Sequence, residues 1–315
     1  MPQDAATPDA VDRKTVDKVL ESVRITHPDR VIDKTTGFTK QAMVEHYAAV
    51  APLMLPHLKG RPVALVRAPA GIAGELFFQK HAQAMAIPGI RLLDPALDPG
   101  HAPLLEIPCV AALLEAAQAN VVEFHTWNAT SRAIRKPDRM TFDLDPGEKV
   151  GWPEMQEAAQ LVHSLLDELG LASFLKTSGG KGLHVVVPLK RSYDFDTVKD
   201  FSRAIVKHLA AVLPQRFVAK SGPKNRVGKI FVDYLRNGFG ATTVSAWSAR
   251  ARPGLGVSVP VAWDELASLT SGAHWTATTI GGRLATGNQP WKDYDASANS
   301  LAAAMKKLAF KPPTP

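Results

Sequence analysis

The segment Thr141-Phe142-Asp143-Leu144-Asp145-Pro146 sets two carboxylates two residues apart. On a strand, side chains alternate faces, so Asp143 and Asp145 share one face while Phe142 and Leu144 share the other. Two carboxylates so placed repel each other unless a cation lies between them, and hard divalent ions prefer such oxygen ligands. Carboxylates that bridge two ions about 4 Å apart can clamp an in-line phosphoryl displacement. Taken alone, the pair also fits two acids at a strand end entering a turn. A third acid changes the balance. Lys229-Ile230-Phe231-Val232-Asp233-Tyr234 places one carboxylate in an otherwise apolar strand, where burying it unpaired is costly. Asp233 either completes a metal cluster with Asp143 and Asp145 or pairs with Lys229 or Arg236.

Between these blocks lies Ser178-Gly179-Gly180-Lys181-Gly182-Leu183-His184. A glycine-rich turn with successive free N–H groups makes an anion nest. Lys181 adds positive charge, Ser178 a hydroxyl donor, and His184 opens a strand from which it can face the acids. No Ser or Thr follows the lysine and no helix follows the loop, so this is not a Walker A motif. The expected role is to hold the phosphates of an incoming nucleotide; the plainer alternative is a hairpin turn with a surface lysine. Downstream, Ser248-Ala249-Arg250-Ala251-Arg252-Pro253 offers two arginines of the same strand parity. They suit bidentate phosphate contact, or form a solvated basic loop.

For these residues to meet, the middle of the chain must fold as strand, helix, strand, strand, helix, strand. Strands are expected at 140–145, 172–176, 183–187 and 229–234. A helix over 153–169 has Pro153 in its first turn and Gly170 just past its end, and a second, capped by Asp196, reaches about residue 213. That β-α-β-β-α-β order is the ferredoxin-like or RRM-like motif. It puts the first and third strands at the centre and the fourth beside the first, so one face can carry all the chemistry. The first half predicts a mixed α/β part: a helix over 40–55 capped by Thr39, strands at 63–67 and 76–79, a helix over 110–119 and a strand at 121–125. The whole is an α+β arrangement with a catalytic palm. Residues 1–20 read as a polar lead-in and 21–300 as the functional domain. Within it we expect an N-terminal part over 21–135, a palm over 136–260 and a C-terminal part from 261 to 308. Residues 309–315 read as a linker or tail.

Of the 315 residues, 45% are hydrophobic and 21% charged, and the formal net charge is +7. This is globular composition with a balance that favours anionic partners such as nucleic acid. One cysteine, Cys109, excludes a disulfide framework or a Cys-based zinc site and is expected as a buried thiol. No secretory h-region and no apolar run of roughly 20 residues is present, so a cytoplasmic, nucleoid-associated protein without a membrane role is expected.

Together, TFDLDPG at 141–147, TSGGKGLHV at 177–185 and KIFVDYLRN at 229–237 resemble the archaeo-eukaryotic primase superfamily. They are most similar to the polymerase domain of bacterial ligase D, a primase-polymerase of end-joining repair. THPDRVIDKTTGFTK at 26–40 and the Phe77-Phe78 pair extend the resemblance over nearly the whole chain. The resemblance implies that Asp143, Asp145 and Asp233 hold two ions, manganese or else magnesium. It implies that Ser178, Lys181, Gly182, His184, Arg250, Arg252 and Lys229 bind a nucleoside triphosphate, with His125 near its sugar. Arg30 and Lys40, helped by His27, would grip a DNA 5′-phosphate, a task suited to a helix N-terminus. Phe77 or Phe78 would stack on the template; in a strand, one of two adjacent phenylalanines must face away from the core. The resemblance further implies gap filling, addition to 3′ ends, a preference for ribonucleotides, and Ku and a ligase module as partners. A non-catalytic DNA-end-binding module and a metal-dependent nuclease are the alternatives.

Overall fold

A computed structural model describes residues 11–83 and 86–312 of the chain. It opens with α1 (Arg13–Ser22), where a polar lead-in to residue 20 was expected. Asp12 caps it by accepting the Thr15 N–H. Val16, Val19, Leu20 and Val23 stand at helical spacing, and Val16 is fully buried. That stripe docks the segment against the next helix, which is why it is not loose. After β1 (Val31–Asp33) and β2 (Phe38–Thr39), Thr39 accepts the Ala42 N–H and starts α2 (Lys40–Leu58). The helix runs past residue 55 despite Pro52 and Pro56, because Leu55 and Leu58 are buried and packing, more than propensity, stabilises helices in proteins.

Then come β3 (Val63–Arg67), β4 (Phe77–Gln79), β5 (Arg91–Leu92), β6 (Leu105–Glu106), α3 (Val110–Gln118) and β7 (Val121–Trp127). Cys109 sits at the N-cap of α3 and is exposed rather than buried, between the buried Ile107 and Val110.

The palm follows the expected order: β8 (Arg139–Pro146), α4 (Trp152–Glu168), β9 (Phe174–Thr177), β10 (Leu183–Pro188), α5 (Phe195–Val212), β11 (Phe217–Val218) and β12 (Ile230–Asp233). Asp194, not Asp196, caps α5 by accepting the Thr197 N–H, leaving Asp196 in the first turn. After β13 (Thr242–Val244) and β14 (Pro260–Val261), the palm sheet reads β11-β12-β8-β10-β9-β14. The ferredoxin-like order is therefore present, with a two-residue strand added at each edge. Phe142, Leu144, Val185, Val187, Ile230 and Val232 face α4 and α5 in one core. By alternation, Asp143, Asp145, His184 and Asp233 face the other way. There the second sheet, β13-β7-β3-β4, is tied to the palm by buried polar contacts. Asn237 holds the backbone of Thr141 from both sides, and Arg139 donates to Asn128 and to Trp127 O.

Beyond the palm, Trp291 donates to Leu175 O and stacks on Tyr294. A last helix, α6 (Ala302–Lys307), leads to Phe310, whose ring lies 5.3 Å from that of Phe201, so packing extends past residue 309. Among the described residues, no helix is long and apolar enough to cross a membrane.

Candidate active site

Strand register assembles the site. Asp143 on β8 lies opposite Asp233 on β12 and opposite His184 on β10, which in turn lies opposite Lys176 on β9. A row Asp233–Asp143–His184–Lys176 thus crosses four strands, with Asp145 one pleat further along. The three carboxylates each present an oxygen, and these atoms lie within 4.8 Å of one another. Arg236 Nε is 3.1 Å from Asp233 and 3.8 Å from Asp143, Arg226 Nη1 is 3.1 Å from Asp145, and His184 Nε2 is 3.3 Å from Asp143.

These neighbours split the acids. Burial and the adjacent Asp143 charge raise the Asp145 carboxyl, with Arg226 only partly offsetting them. Burial likewise raises Asp233 against the pull of Arg236. Burial acts on Asp143 too, but His184, Arg236 and Lys176 outweigh it and hold it below its usual range. Burial and the Lys176 charge bring His184 down to about 4, so at neutral pH it serves Asp143 as an N–H donor and its Nδ1 stays bare. Three converging carboxylates, two of them reluctant to ionise, form an all-oxygen set that suits a hard divalent cation. The residues present fit magnesium or manganese.

The glycine loop is built differently from an anion nest. Ser178 Oγ accepts the N–H groups of Gly180 and Gly182, Ser178 N–H donates to Gly182 O, and Gly179 N–H donates to Gly272 O. With those amides engaged internally, the loop offers the Lys181 side chain and the Ser178 hydroxyl proton instead. Gly182 is obligatory, since a Cβ there would lie 2.1 Å from Leu144 O; the loop is pressed onto the Asp143–Asp145 strand. A cavity of roughly 300 Å³ opens between them. Asp143 and Asp145 line it together with Lys181, Arg226, Arg236, Arg250 and Arg252. Five cations against two acids make it a place for a polyanion that arrives with its own cations.

Around this cavity the structure gathers Ser178, Lys181, Gly182, Arg250 and Arg252, with His184 beneath. Lys229 is not in the cavity wall; its carbonyl accepts the Gly147 N–H at the end of the DxD strand. His125 stands one step out, on β7. Its Nε2 is 2.6 Å from Glu123, which also binds Arg250 and the Ala251 N–H. Burial would raise Glu123, but the His125 hydrogen bond and the Arg250 charge bring it down to about 2. Glu123 thereby aims Arg250 at the cavity.

The wall also holds two arginines outside the expected nucleotide set. Arg236 was legible only as a partner for Asp233, three residues on. Arg226 gave no signal: it sits in a charged, aperiodic loop whose backbone packs so tightly on Gly147 that a Cβ there would lie 1.6 Å from Arg226 O.

Two further expected sites lie apart from the cavity. Lys40, the first residue of α2, is 3% exposed, with Nζ on Thr26 Oγ1. Burial and the nearby Arg30 charge lower its pKa. Arg30 donates to Pro69 O and Asn120 Oδ1, and its N–H turns back onto His27 O. Neither cation forms an ion pair among the described residues. His27 is exposed. Phe77 and Phe78 are both exposed, at 46% and 51%, not one in and one out. They lie on the three-residue edge strand β4, which among the described residues pairs only with β3. The Phe78 ring meets His125 edge-on at 5.8 Å, which links the aromatic edge to the cavity through Glu123.

A family model for the LigD primase-polymerase domain matches residues 39–291. The multifunctional non-homologous end joining protein LigD of Pseudomonas aeruginosa is 54% identical over 90% of this chain and 34% of its own length. That of Mycolicibacterium smegmatis is 33% identical over 78% of this chain and 33% of its own length. The chain thus spans about a third of these relatives. The polymerase domain of Mycobacterium tuberculosis ligase D, solved in complex with DNA, superposes with a TM-score of 0.79 and 29% identity. The match covers 88% of this chain and 99% of that one. The chain therefore belongs to the LigD primase-polymerase domain family, a family of DNA/RNA nucleotidyltransferases.

Proposed function

We propose that this chain fills gaps and extends 3′ ends at 5′-phosphorylated DNA breaks, by two-metal nucleotidyl transfer with a preference for ribonucleotides. The observation that carries the reading is the convergence of Asp143, Asp145 and Asp233 on one another, with Asp143 and Asp145 lining a cavity that also holds Lys181 and four arginines. Bound there, manganese or magnesium ions would lower the pKa of the primer 3′-hydroxyl and stabilise the departing pyrophosphate. Asp143, Asp145 and Asp233 hold the ions. Lys181, Arg250, Arg252 and the Ser178 hydroxyl offset and orient the triphosphate, His184 fixes Asp143, and His125 approaches the sugar. Arg30 and Lys40, with His27, take the 5′-phosphate across the gap, and Phe77 and Phe78 offer a stacking surface to the template. Ku and a ligase module are the expected partners, in the cytoplasm at the nucleoid.

The test is extension of a labelled primer on a one-nucleotide gap with or without the downstream 5′-phosphate, with manganese and either ribo- or deoxyribonucleotides. Templated incorporation that falls without the phosphate and is faster with ribonucleotides supports the reading. Binding without incorporation would indicate an end-binding module, and loss of nucleotides from the primer without added triphosphate a nuclease.

A further inference from the structure

Away from the acidic row, one other group of ligating side chains converges among the described residues. His81, Asp98 and His101 each present a ligand atom, and these atoms lie within 4.8 Å of one another. His81 Nε2 is 2.8 Å, and His101 Nδ1 3.4 Å, from the same oxygen, Asp98 Oδ2. The two imidazoles stack, with centroids 4.9 Å apart and planes 12° from parallel. None of the three lines the catalytic cavity.

Each ligand stands on a fixed backbone. His81, just past β4, is bridged to Leu104, and its carbonyl accepts from Gln79 Nε2. Asp98 closes a single 3₁₀ turn, Pro95–Leu97. The His101 N–H donates to Asp98 O across a turn in which Gly100 takes φ +88°. Below, Leu93 and Leu104 form a small core with Trp127 and Ile134.

An ordinary histidine–aspartate pair needs one ring; here a second is stacked on the first and aimed at the same oxygen. Two imidazoles and a carboxylate are the donors zinc takes, whereas magnesium and manganese favour all-oxygen sets. Tetrahedral zinc, with bonds of about 2.0–2.1 Å, spaces its donor atoms roughly 3.3 Å apart; His101 and Asp98 stand at 3.4 Å, while His81, at hydrogen-bond distance of 2.8 Å from Asp98, must open by about half an ångström to admit the ion. Asp98 and His81 are mostly covered, and His101 is 60% exposed, so a fourth position opens to water.

We propose that His81 Nε2, Asp98 and His101 Nδ1 bind one zinc ion, which clips the 93–104 segment to the end of β4 beside Phe77 and Phe78. The assignment is independent of the polymerase reading.

The experiment uses the untagged full chain, stripped with chelator, reloaded with zinc, desalted, and counted by mass spectrometry for metal per chain. Wild type should retain one zinc more than Asp98→Asn or His101→Ala. Cobalt substitution should give the stronger visible bands of a tetrahedral site, absent in His101→Ala, and zinc should raise the Tm of wild type but not of the variants. Equal zinc in all three proteins, or a cobalt spectrum unchanged by His101→Ala, would overturn the assignment. If Asp98→Asn fails to fold, His101→Ala decides, because its side chain is mostly in solvent.

Discussion

Asp143 is the residue on which the site turns. It lies between Asp233 and His184 in register, and Arg236 reaches it as well. A carboxylate held ionised beside two that resist ionisation prepares a cation site whose first ligand is ready at neutral pH. The glycine loop is equally constrained. Gly182→Ala should drive a methyl into Leu144 O, 2.1 Å from its position, at a cost of about 1–3 kcal/mol. A Tm drop with at least a tenfold rise in KM for the triphosphate is expected, and an unchanged Tm would contradict the close approach. Glu123→Gln should loosen Arg250 and also raise KM, with little change in metal dependence, measured by titrating manganese at saturating triphosphate.

At the scale of elements, the palm was legible because its signals agree. Apolar residues at helical spacing, Pro153 and Gly170 as bookends, and alternation in the strands all point to one order. Legibility failed where the signal was tertiary or lay between two close choices. The stripe at Val16, Val19, Leu20 and Val23 was hidden by its polar surroundings. The sequence placed the α5 cap at Asp196, whereas Asp194, the same residue type two positions earlier, holds it. The glycine loop read as a nest because no sequence shows that Gly272 and Ser178 take up its amides. Arg226 arrived from an aperiodic loop. Helix α2 supplies a pH test. Burial lowers His46 to about 4, whereas unfolded it titrates near 6.5. Its contribution is therefore complete above about pH 6.5 and lost as pH falls towards 4, amounting to about 3 kcal/mol. In His46→Leu, urea unfolding should show an acid decline smaller by that order; an identical decline would exclude His46 as a source.

Across the whole molecule, three places carry the proposed contacts: the Arg30–Lys40 corner, the Phe77–Phe78 edge and the acid-lined cavity. In the proposed reaction they take a phosphate, a template base and a primer end. Replacing Arg30 and Lys40 together with Gln should remove the advantage of a 5′-phosphorylated gap, weakening binding about tenfold, while extension of an open primer persists. Equal losses on both substrates, read by fluorescence anisotropy and extension, would give the pair a merely structural role. In the proposed reaction Asp143, Asp145 and Asp233 support nucleotidyl transfer. Its most direct test is manganese-dependent primer extension by Asp143→Ala alongside DNA binding by the same protein. No extension with binding retained is expected, and normal extension by Asp143→Ala would exclude the three carboxylates as the catalytic centre.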